Sequence, residues 1–122
     1  VLVVPEHNDS TLVKLASRSF FQRLLDSGVE LLEFRGGMLH AKTIVVDGRL
    51  GVMTSSNLDR RSFEINFEVS LLLYDEAAAK ALRRLQQSYI ERGQAISARH
   101  WADRPWWTRL VENAVGLASP VL

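Results

Sequence analysis

A histidine and a lysine stand two residues apart near the middle of the chain. His40 and Lys42 occur in "MLHAKTIVVDG", where the following apolar residues predict a β-strand. Side chains two apart on a strand point to the same face, about 6 to 7 Å apart along it. A lysine ammonium on a buried face is costly unless an anion or water meets it. The pair therefore indicates either an edge strand with one wet face or a site for an anion.

Polar residues follow on the neighbouring predicted strand. The Asp47–Gly48 pair is a strong hairpin signal between "LHAKTIVV" and "RLGVMT". Because a hairpin folds back on itself, we expect Ser55 and Asn57 to lie beside His40 and Lys42. A histidine that carries a proton or attacks, a fixed positive charge, and hydroxyl and amide donors for oxyanions are the parts of a phosphoryl-transfer site.

Composition excludes several other classes of protein. The 122 residues are 47% hydrophobic and 24% charged, which is typical of a globular fold. A net charge of +1 weighs against a protein built mainly to bind nucleic-acid phosphates, and the absence of cysteine excludes disulfides and cysteine nucleophiles. The sequence has no glycine-rich phosphate loop and no metal-binding cluster of carboxylates. We therefore expect covalent catalysis by histidine without a metal or other cofactor.

Strands and helices must position these residues. Apolar runs and their breaks predict strands over residues 1–4, 29–34, 39–46, 49–54 and 66–74. Helical periodicity predicts a helix that Asp9 or Ser10 caps and that runs to about residue 27. It predicts another that Asp75 caps and that runs from 76 to about 97, and a last helix starting near Pro105. The mixture predicts an α/β fold in which helices flank a mixed β-sheet.

The order of the polar residues matches a known signature. The pattern His40-x-Lys42-x4-Asp47, followed by Ser55-x-Asn57, resembles the HKD signature of the phospholipase D superfamily. Longer segments are similar to the carboxy-terminal half of bacterial cardiolipin synthases, among them "GVELLEFRGGMLHAKTIVVDG", "NLDRRSFEINFEVSLLLYD" and "RPWWTRLVENAVGLASPVL". The similarity extends over essentially the whole chain.

The resemblance implies a fold, and one residue departs from the family pattern. Residues 1–122 would form a single phospholipase D-like domain, which is one half of a two-repeat fold. Thr54 stands where the family usually has glycine before the Ser or Thr of the second block.

The resemblance also implies a role for each matched residue. His40 matches the catalytic histidine, which acts as nucleophile or general acid. Lys42 and Asn57 match the residues that bind the phosphate oxygens, and Ser55 assists them. Glu68, in "NFE", matches the family acid that hydrogen-bonds the histidine and fixes its tautomer.

Several residues keep two interpretations. Asp47 is the aspartate of the motif, but it also sits in the predicted hairpin turn, which we take as its main role. "NLDRRS" follows the family pattern at Asp59, Arg61 and Ser62, where Arg61 either meets a phosphate or braces the loop. His7 faces either the cleft or solvent.

Two further groups lie outside the motif. His100, between predicted helices, is interpreted as a structural or surface residue. Trp101, Trp106 and Trp107, with arginines nearby, indicate either an interfacial membrane contact or core packing.

The sequence holds one HKD motif, whereas enzymes of this family join two across a two-fold or pseudo-two-fold axis. One histidine attacks phosphorus and the other protonates the leaving alcohol. The resemblance therefore implies a partner, either a missing amino-terminal half or a second copy of this chain. The abrupt start on "VLVVP" favours a fragment.

The leading hypothesis is the catalytic half of a cardiolipin synthase. The full enzyme would transfer a phosphatidyl group between phosphatidylglycerol molecules and release glycerol at the bacterial inner membrane, while this segment is expected to be soluble. The alternatives are another HKD phosphodiesterase, such as a phospholipase D or a nuclease, and a silent dimerisation module.

Overall fold

The computed structural model of the protein describes residues 1–7, 11–58 and 60–118. The strands are β1 (Leu2–Pro5), β2 (Leu31–Phe34), β3 (Thr43–Val46), β4 (Leu50–Thr54), β5 (Ser70–Leu73) and β6 (Gly93–Ala95). The helices are α1 (Thr11–Arg18), α2 (Phe21–Asp26), α3 (Arg60–Glu64), α4 (Glu76–Glu91), α5 (Ala98–Ala102) and α6 (Trp106–Ala118). The predicted combination of strands and flanking helices is confirmed.

The strands divide between two three-stranded sheets. In the first sheet β2 lies between β1, which runs parallel to it, and β6, which runs antiparallel, so this sheet is mixed as predicted. The second sheet is antiparallel in the order β3, β4, β5 and contains the predicted hairpin. The two residues of the hairpin turn, Asp47 and Gly48, have φ angles of 51° and 68°, the left-handed pair that an Asp-Gly turn requires.

The long helix α4 supports the second sheet. The carboxylate of Asp75 accepts a hydrogen bond of 2.7 Å from the backbone N–H of Ala78, so the predicted cap is confirmed. The helix packs against β3, β4 and β5, where buried Leu82 lies over Gly51; a Cβ on that glycine would stand 3.3 Å from the leucine methyl. The absence of a side chain at Gly51 thus lets the helix approach the hairpin closely.

The end of this helix was predicted wrongly. It stops at Glu91, and Gly93–Ala95 pair with β2 as strand β6. A Cβ on Gly93 would stand 3.0 Å from that of Leu32, so the close approach of these strands requires glycine. Ser97 then caps α5, because its hydroxyl accepts a hydrogen bond from the backbone N–H of His100.

The first predicted helix is two helices. Ser19 and Phe20 separate α1 from α2, and the Ser19 hydroxyl donates to the carbonyl of Ala16 at 2.6 Å, which competes with the helical backbone pattern. The predicted cap at Asp9 or Ser10 falls outside the described residues. Gly28 has a φ of 80° where the helical segment ends, a left-handed conformation that suits glycine at the end of a helix.

Candidate functional site

The candidate site lies at one end of the second sheet. The start of β3, the end of β4 and the start of β5 meet there, because Thr43 pairs with Met53 and Thr54 pairs with Ser70. The Asp47–Gly48 turn is at the opposite end of the β3–β4 hairpin. His40, Lys42, Ser55, Asn57 and Glu68 all belong to the segments that leave the sheet at this end.

His40 and Lys42 lie just before β3, not within it as predicted. The backbone N–H of Thr54 donates to the carbonyl of Lys42 at 2.9 Å, which extends the strand pairing by one residue. The pairing with β4 ends there, because the backbone N–H of the next residue, Ser55, donates to the carbonyl of Val69, which directly precedes β5. The backbone before Lys42 therefore has no hydrogen-bond partner on β4 and leaves the sheet.

The side chains of His40 and Lys42 are in contact, although the strand periodicity that predicted a shared face does not apply to residues that precede β3. The ammonium Nζ of Lys42 lies 2.9 Å from Nε2 of the exposed His40. A lysine ammonium can only donate hydrogen bonds, so Nε2 is the acceptor and carries a lone pair. A histidine nitrogen in that state can attack an electrophile or accept a proton.

Ser55 and Glu68 form a second pair beside them. The Ser55 hydroxyl donates to Oε2 of Glu68, and the backbone N–H of Val69 donates to that hydroxyl oxygen at 3.0 Å. The side-chain amide of Asn66 donates to Oε1 of Glu68 at 3.4 Å. The carboxylate is therefore held on both oxygens, although it is exposed to solvent.

These contacts stabilise the charged form of the carboxyl group. The hydrogen bond from Ser55 is the main cause that lowers the pKa of Glu68 below its ordinary value of 4.5. Partial desolvation opposes this shift, while hydrogen bonds from Asn66 and Ser62 and the positive charge of Lys42 lower the pKa further. Glu68 is thus coupled electrostatically to Lys42.

The direct hydrogen bond predicted between Glu68 and His40 is not among the hydrogen bonds of the described residues. Glu68 bonds Ser55 because the pairing of β4 with β5 brings that hydroxyl next to the start of β5. His40 bonds Lys42 instead. The two pairs are joined through the charge of Lys42, and a catalytic role for Glu68 stays a prediction.

Ser62 connects α3 to this cluster. Its hydroxyl accepts a hydrogen bond of 3.2 Å from the backbone N–H of Asn57 and also hydrogen-bonds Glu68. The residue is 6% exposed, whereas Asn57 and Glu68 are exposed. The sequence pattern placed Ser62 in the family block without a role; a buried hydroxyl that joins two predicted site residues gives it one.

Asp47 is not brought to the other site residues. It occupies the hairpin turn, and the four residues of β3 separate it from Lys42. An open basin of about 500 Å³ lies there, lined by Asp47 and Gly48 together with Arg49, Glu76, Lys80, Arg83 and Arg84. This position favours the turn interpretation over contact with a phosphate bound at His40.

The remaining candidates fall outside the cluster. The His7 side chain is 78% exposed and lies 3.6 Å from the Glu6 carboxylate, and His100 is exposed on α5. Asp59 and the side chain of Arg61 lie outside the described residues. Within the described ranges, no three or more His, Asp or Glu side chains gather where they could hold a metal ion.

The tryptophans divide between the two predicted interpretations. Trp101 is buried against Phe21 and Leu31, with Arg104 stacked 3.4 Å from its ring centroid. Trp106 and Trp107 are 74% and 59% exposed, so core packing is wrong for these two. The helices of the described segments include none long and apolar enough to cross a bilayer.

The sequence matches known proteins over nearly its whole length. Residues 1–90 match a family model described as cardiolipin synthase, PLD-like domain. Over 121 residues the chain is 45% identical to cardiolipin synthase A of Erwinia tasmaniensis and 40% identical to that of Yersinia pestis. Each match covers 99% of this chain and 25% of the relative, so the chain spans about a quarter of the length of these relatives.

The fold also matches a solved structure. A phospholipase D family member, Nuc from Salmonella typhimurium, superposes with a TM-score of 0.62 over 77% of this chain and 61% of that chain. The two sequences are 18% identical, so this likeness concerns the fold alone. The predicted phospholipase D-like fold is confirmed.

Proposed function

Because this chain belongs to the phospholipase D-like domain family of cardiolipin synthases, we propose that it is the carboxy-terminal catalytic half of such a synthase. Residues 1–122 then form one domain of a protein that works at the bacterial inner membrane without a metal or other cofactor. The whole protein transfers a phosphatidyl group from one phosphatidylglycerol to another and releases glycerol. The observation that carries the proposal is the distance of 2.9 Å between His40 Nε2 and Lys42 Nζ, at the sheet end where Ser55, Asn57 and Glu68 also lie.

The proposed reaction has two displacements at phosphorus. A histidine Nε2 attacks the phosphodiester of phosphatidylglycerol, the bond from phosphorus to the glycerol oxygen breaks, and a second histidine protonates that oxygen. The hydroxyl of another phosphatidylglycerol then attacks the phosphatidyl-histidine. Its proton goes to the second histidine as the phosphorus–nitrogen bond breaks, which yields cardiolipin. His40 takes one of these two roles, and the histidine of the partner half takes the other.

Lys42 has a different task before and after substrate binds. In the structure its ammonium donates to Nε2 of His40 and so occupies the lone pair that would attack. A phosphate oxygen is a stronger acceptor because it is charged, and it draws the ammonium away from the ring. Phosphate binding would thus release the nucleophile, with the side-chain amide of Asn57 supplying a further donor at the same end of the sheet; the one proton of the Ser55 hydroxyl is donated to Glu68.

Glu68 would act on phosphate indirectly, through Ser55 and Lys42. It fixes the Ser55 hydroxyl through a hydrogen bond, and its negative charge lies close enough to Lys42 for the two to interact. A carboxylate in that place favours the charged ammonium that binds phosphate.

The proposal is tested in a protein that contains this chain together with the second motif. Labelled phosphatidylglycerol is supplied in vesicles, and cardiolipin and free glycerol are both quantified. We expect equal amounts of the two products, and His40→Ala should lower both by about 10²-fold or more. His100→Ala is the matched control, because this histidine is exposed on α5 outside the site, and it should retain full activity.

Three outcomes would contradict the proposal. Glycerol release by His40→Ala at the rate of the unchanged protein would exclude His40 from the chemistry. Release of phosphatidic acid in place of cardiolipin would indicate a phospholipase D. Cleavage of DNA with no turnover of lipid would indicate a nuclease.

A further inference from the structure

Helix α6 presents an apolar face to solvent. Trp106, Trp107, Leu110 and Val111 are 74%, 59%, 61% and 46% exposed. Their spacing of one, four and five residues places them on the same side of a helix. So large a contiguous exposed apolar surface is unusual in a soluble domain and marks a contact surface.

The residues on the opposite side of α6 attach the helix to the domain and so determine which face points to solvent. Glu112 is 2% exposed and forms an ion pair of 2.8 Å with Arg104. Further along the helix, Gly116 lies against Ser19 at the end of α1, where a Cβ on the glycine would come within 3.0 Å of the serine Cβ. The helix is therefore seated on the domain by its polar and small residues, while its large apolar residues point away.

The charges of α6 select what the apolar face can bind. Arg109 and Glu112 are the charged residues in the sequence of this helix, and Glu112 is buried and neutralised by Arg104. Arg109 is exposed, so the exposed surface of the helix carries a positive charge and no negative one. Such a surface is complementary to anionic headgroups, and the ring of tryptophan favours the boundary between headgroups and acyl chains.

We propose that Trp106, Trp107, Leu110 and Val111 form a membrane-contact face. In this arrangement α6 lies in the plane of an anionic phospholipid surface, with the two indole rings at the acyl boundary and Arg109 among the headgroups. The inference goes beyond the proposed function: it concerns how this domain docks on a bilayer, and it does not depend on His40. An apolar lipid surface covers the face that the domain itself leaves uncovered.

Vesicle binding by the 122-residue chain tests the face. Vesicles of phosphatidylglycerol and phosphatidylcholine are compared with vesicles of phosphatidylcholine alone in a flotation assay. We expect binding to the anionic vesicles, and a loss of about tenfold or more in partition coefficient for Trp106→Ser/Trp107→Ser, since bound apolar area sets the strength of interfacial binding. Arg109→Gln should weaken binding to the anionic vesicles alone.

A matched control distinguishes binding through this face from nonspecific binding by any exposed apolar residue. Tyr74 and Leu85 are 78% and 46% exposed on other elements, so Tyr74→Ser/Leu85→Ser also removes exposed apolar area and should bind like the unchanged chain. Lipids brominated in the acyl chain provide a second readout. They should quench the fluorescence of Trp106 and Trp107, whereas buried Trp101, left as the single tryptophan in Trp106→Phe/Trp107→Phe, should be quenched little.

Each of three results would overturn the proposal. The first is equal vesicle binding by the Trp106→Ser/Trp107→Ser chain and the unchanged chain, with circular dichroism showing both folded. The second is no binding to anionic vesicles at any lipid concentration. The third is a dimer that dissociates on Trp106→Ser/Trp107→Ser while lipid binding is absent, which would assign the face to a second copy.

Discussion

Lys42 Nζ lies 2.9 Å from His40 Nε2, so the ammonium covers the nitrogen whose lone pair the proposed reaction uses. The geometry links substrate binding to the exposure of the nucleophile, because a phosphate that attracts Lys42 also frees the histidine. A site arranged in this way has little tendency to react with small electrophiles when no phosphate is present.

Replacement of Lys42 separates its effect on phosphate binding from its effect on the reactivity of His40. Lys42→Gln keeps a similar length but removes the charge that stabilises the phosphate oxygens, and loss of one such donor lowers turnover by about 10²–10³-fold. The same change should speed the reaction of His40 with diethyl pyrocarbonate, because the neutral amide of glutamine is a weaker donor than the ammonium and covers Nε2 less. Lys80→Gln, on the exposed surface of α4, is the control. Faster modification with normal turnover would contradict the phosphate role.

Glu68 should contribute to stability only when it is ionised. Its pKa is lowered in the folded protein, so its contribution is present above the ordinary value of 4.5 and is lost as the pH falls through the lowered value. Glu68→Gln should therefore destabilise the protein at pH 7, and the difference should disappear in strong acid. Urea unfolding of Glu68→Gln and of the unchanged protein, from pH 7 down to strong acid, measures this difference in stability. A difference that persists unchanged in strong acid would show that the charge is not its source.

Ser62 should position the cluster. Ser62→Ala removes the acceptor of the Asn57 N–H; because Asn57 is exposed, water can replace that acceptor, and we expect a loss of about 0.5–1.5 kcal/mol in the free energy of unfolding. The same variant should raise the pKa of Glu68 towards 4.5, since one of the hydrogen bonds that lower it is removed. Carbon-detected NMR titration of the Glu68 carboxyl reads this shift. Ser62→Thr keeps a hydroxyl and should restore the lower pKa.

A matched variant distinguishes positioning from general destabilisation. Ser88 on α4 donates its hydroxyl to the carbonyl of Leu85, far along the chain from Glu68. Ser88→Ala should leave the titration of Glu68 unchanged whatever it does to stability. An equal pKa shift in both variants would mean that Ser62 acts only through the fold.

Local signals in the sequence predicted much of this site. The Asp47–Gly48 pair fixes a hairpin because few residues adopt two successive left-handed conformations, and the hairpin brings Ser55 towards Lys42. The side chains of His40 and Lys42 are also together, but the strand spacing used to predict this does not apply, because both residues precede β3. In each case the relevant partner lies a few residues away in the chain or across one tight turn.

Contacts between residues far apart in the chain could not be predicted from local sequence signals. The Gly93–Ala95 segment has no periodicity of its own and becomes a strand only because β2 offers an open edge. Glu68 was expected to bond the histidine, yet its partner is set by the pairing of β4 with β5, which places Ser55 beside it. Such contacts depend on which strands meet, and local spacing does not encode that.

The last prediction concerns the apolar residues that surround the site. Met38, Leu58, Phe63 and Phe67 are 69%, 58%, 69% and 105% exposed. They are close in sequence to His40 or to the residues that bond Glu68. In a two-motif enzyme this rim is where the second half would pack, and without that half the rim faces water. We therefore expect the chain alone to associate through it as a two-fold dimer, the commonest closed assembly.

Sedimentation equilibrium at micromolar concentration measures this association. Phe67→Ser should weaken the dimer by about tenfold or more, because it removes a ring that would be fully buried in the contact. Tyr74→Ser, which removes a comparably exposed ring outside the rim, should leave the dimer intact. A disulfide formed by Met38→Cys across the two-fold axis, in an otherwise cysteine-free chain, would place two copies of His40 near each other. A monomer at all concentrations, or a dimer that Phe67→Ser leaves unchanged, would contradict the expectation.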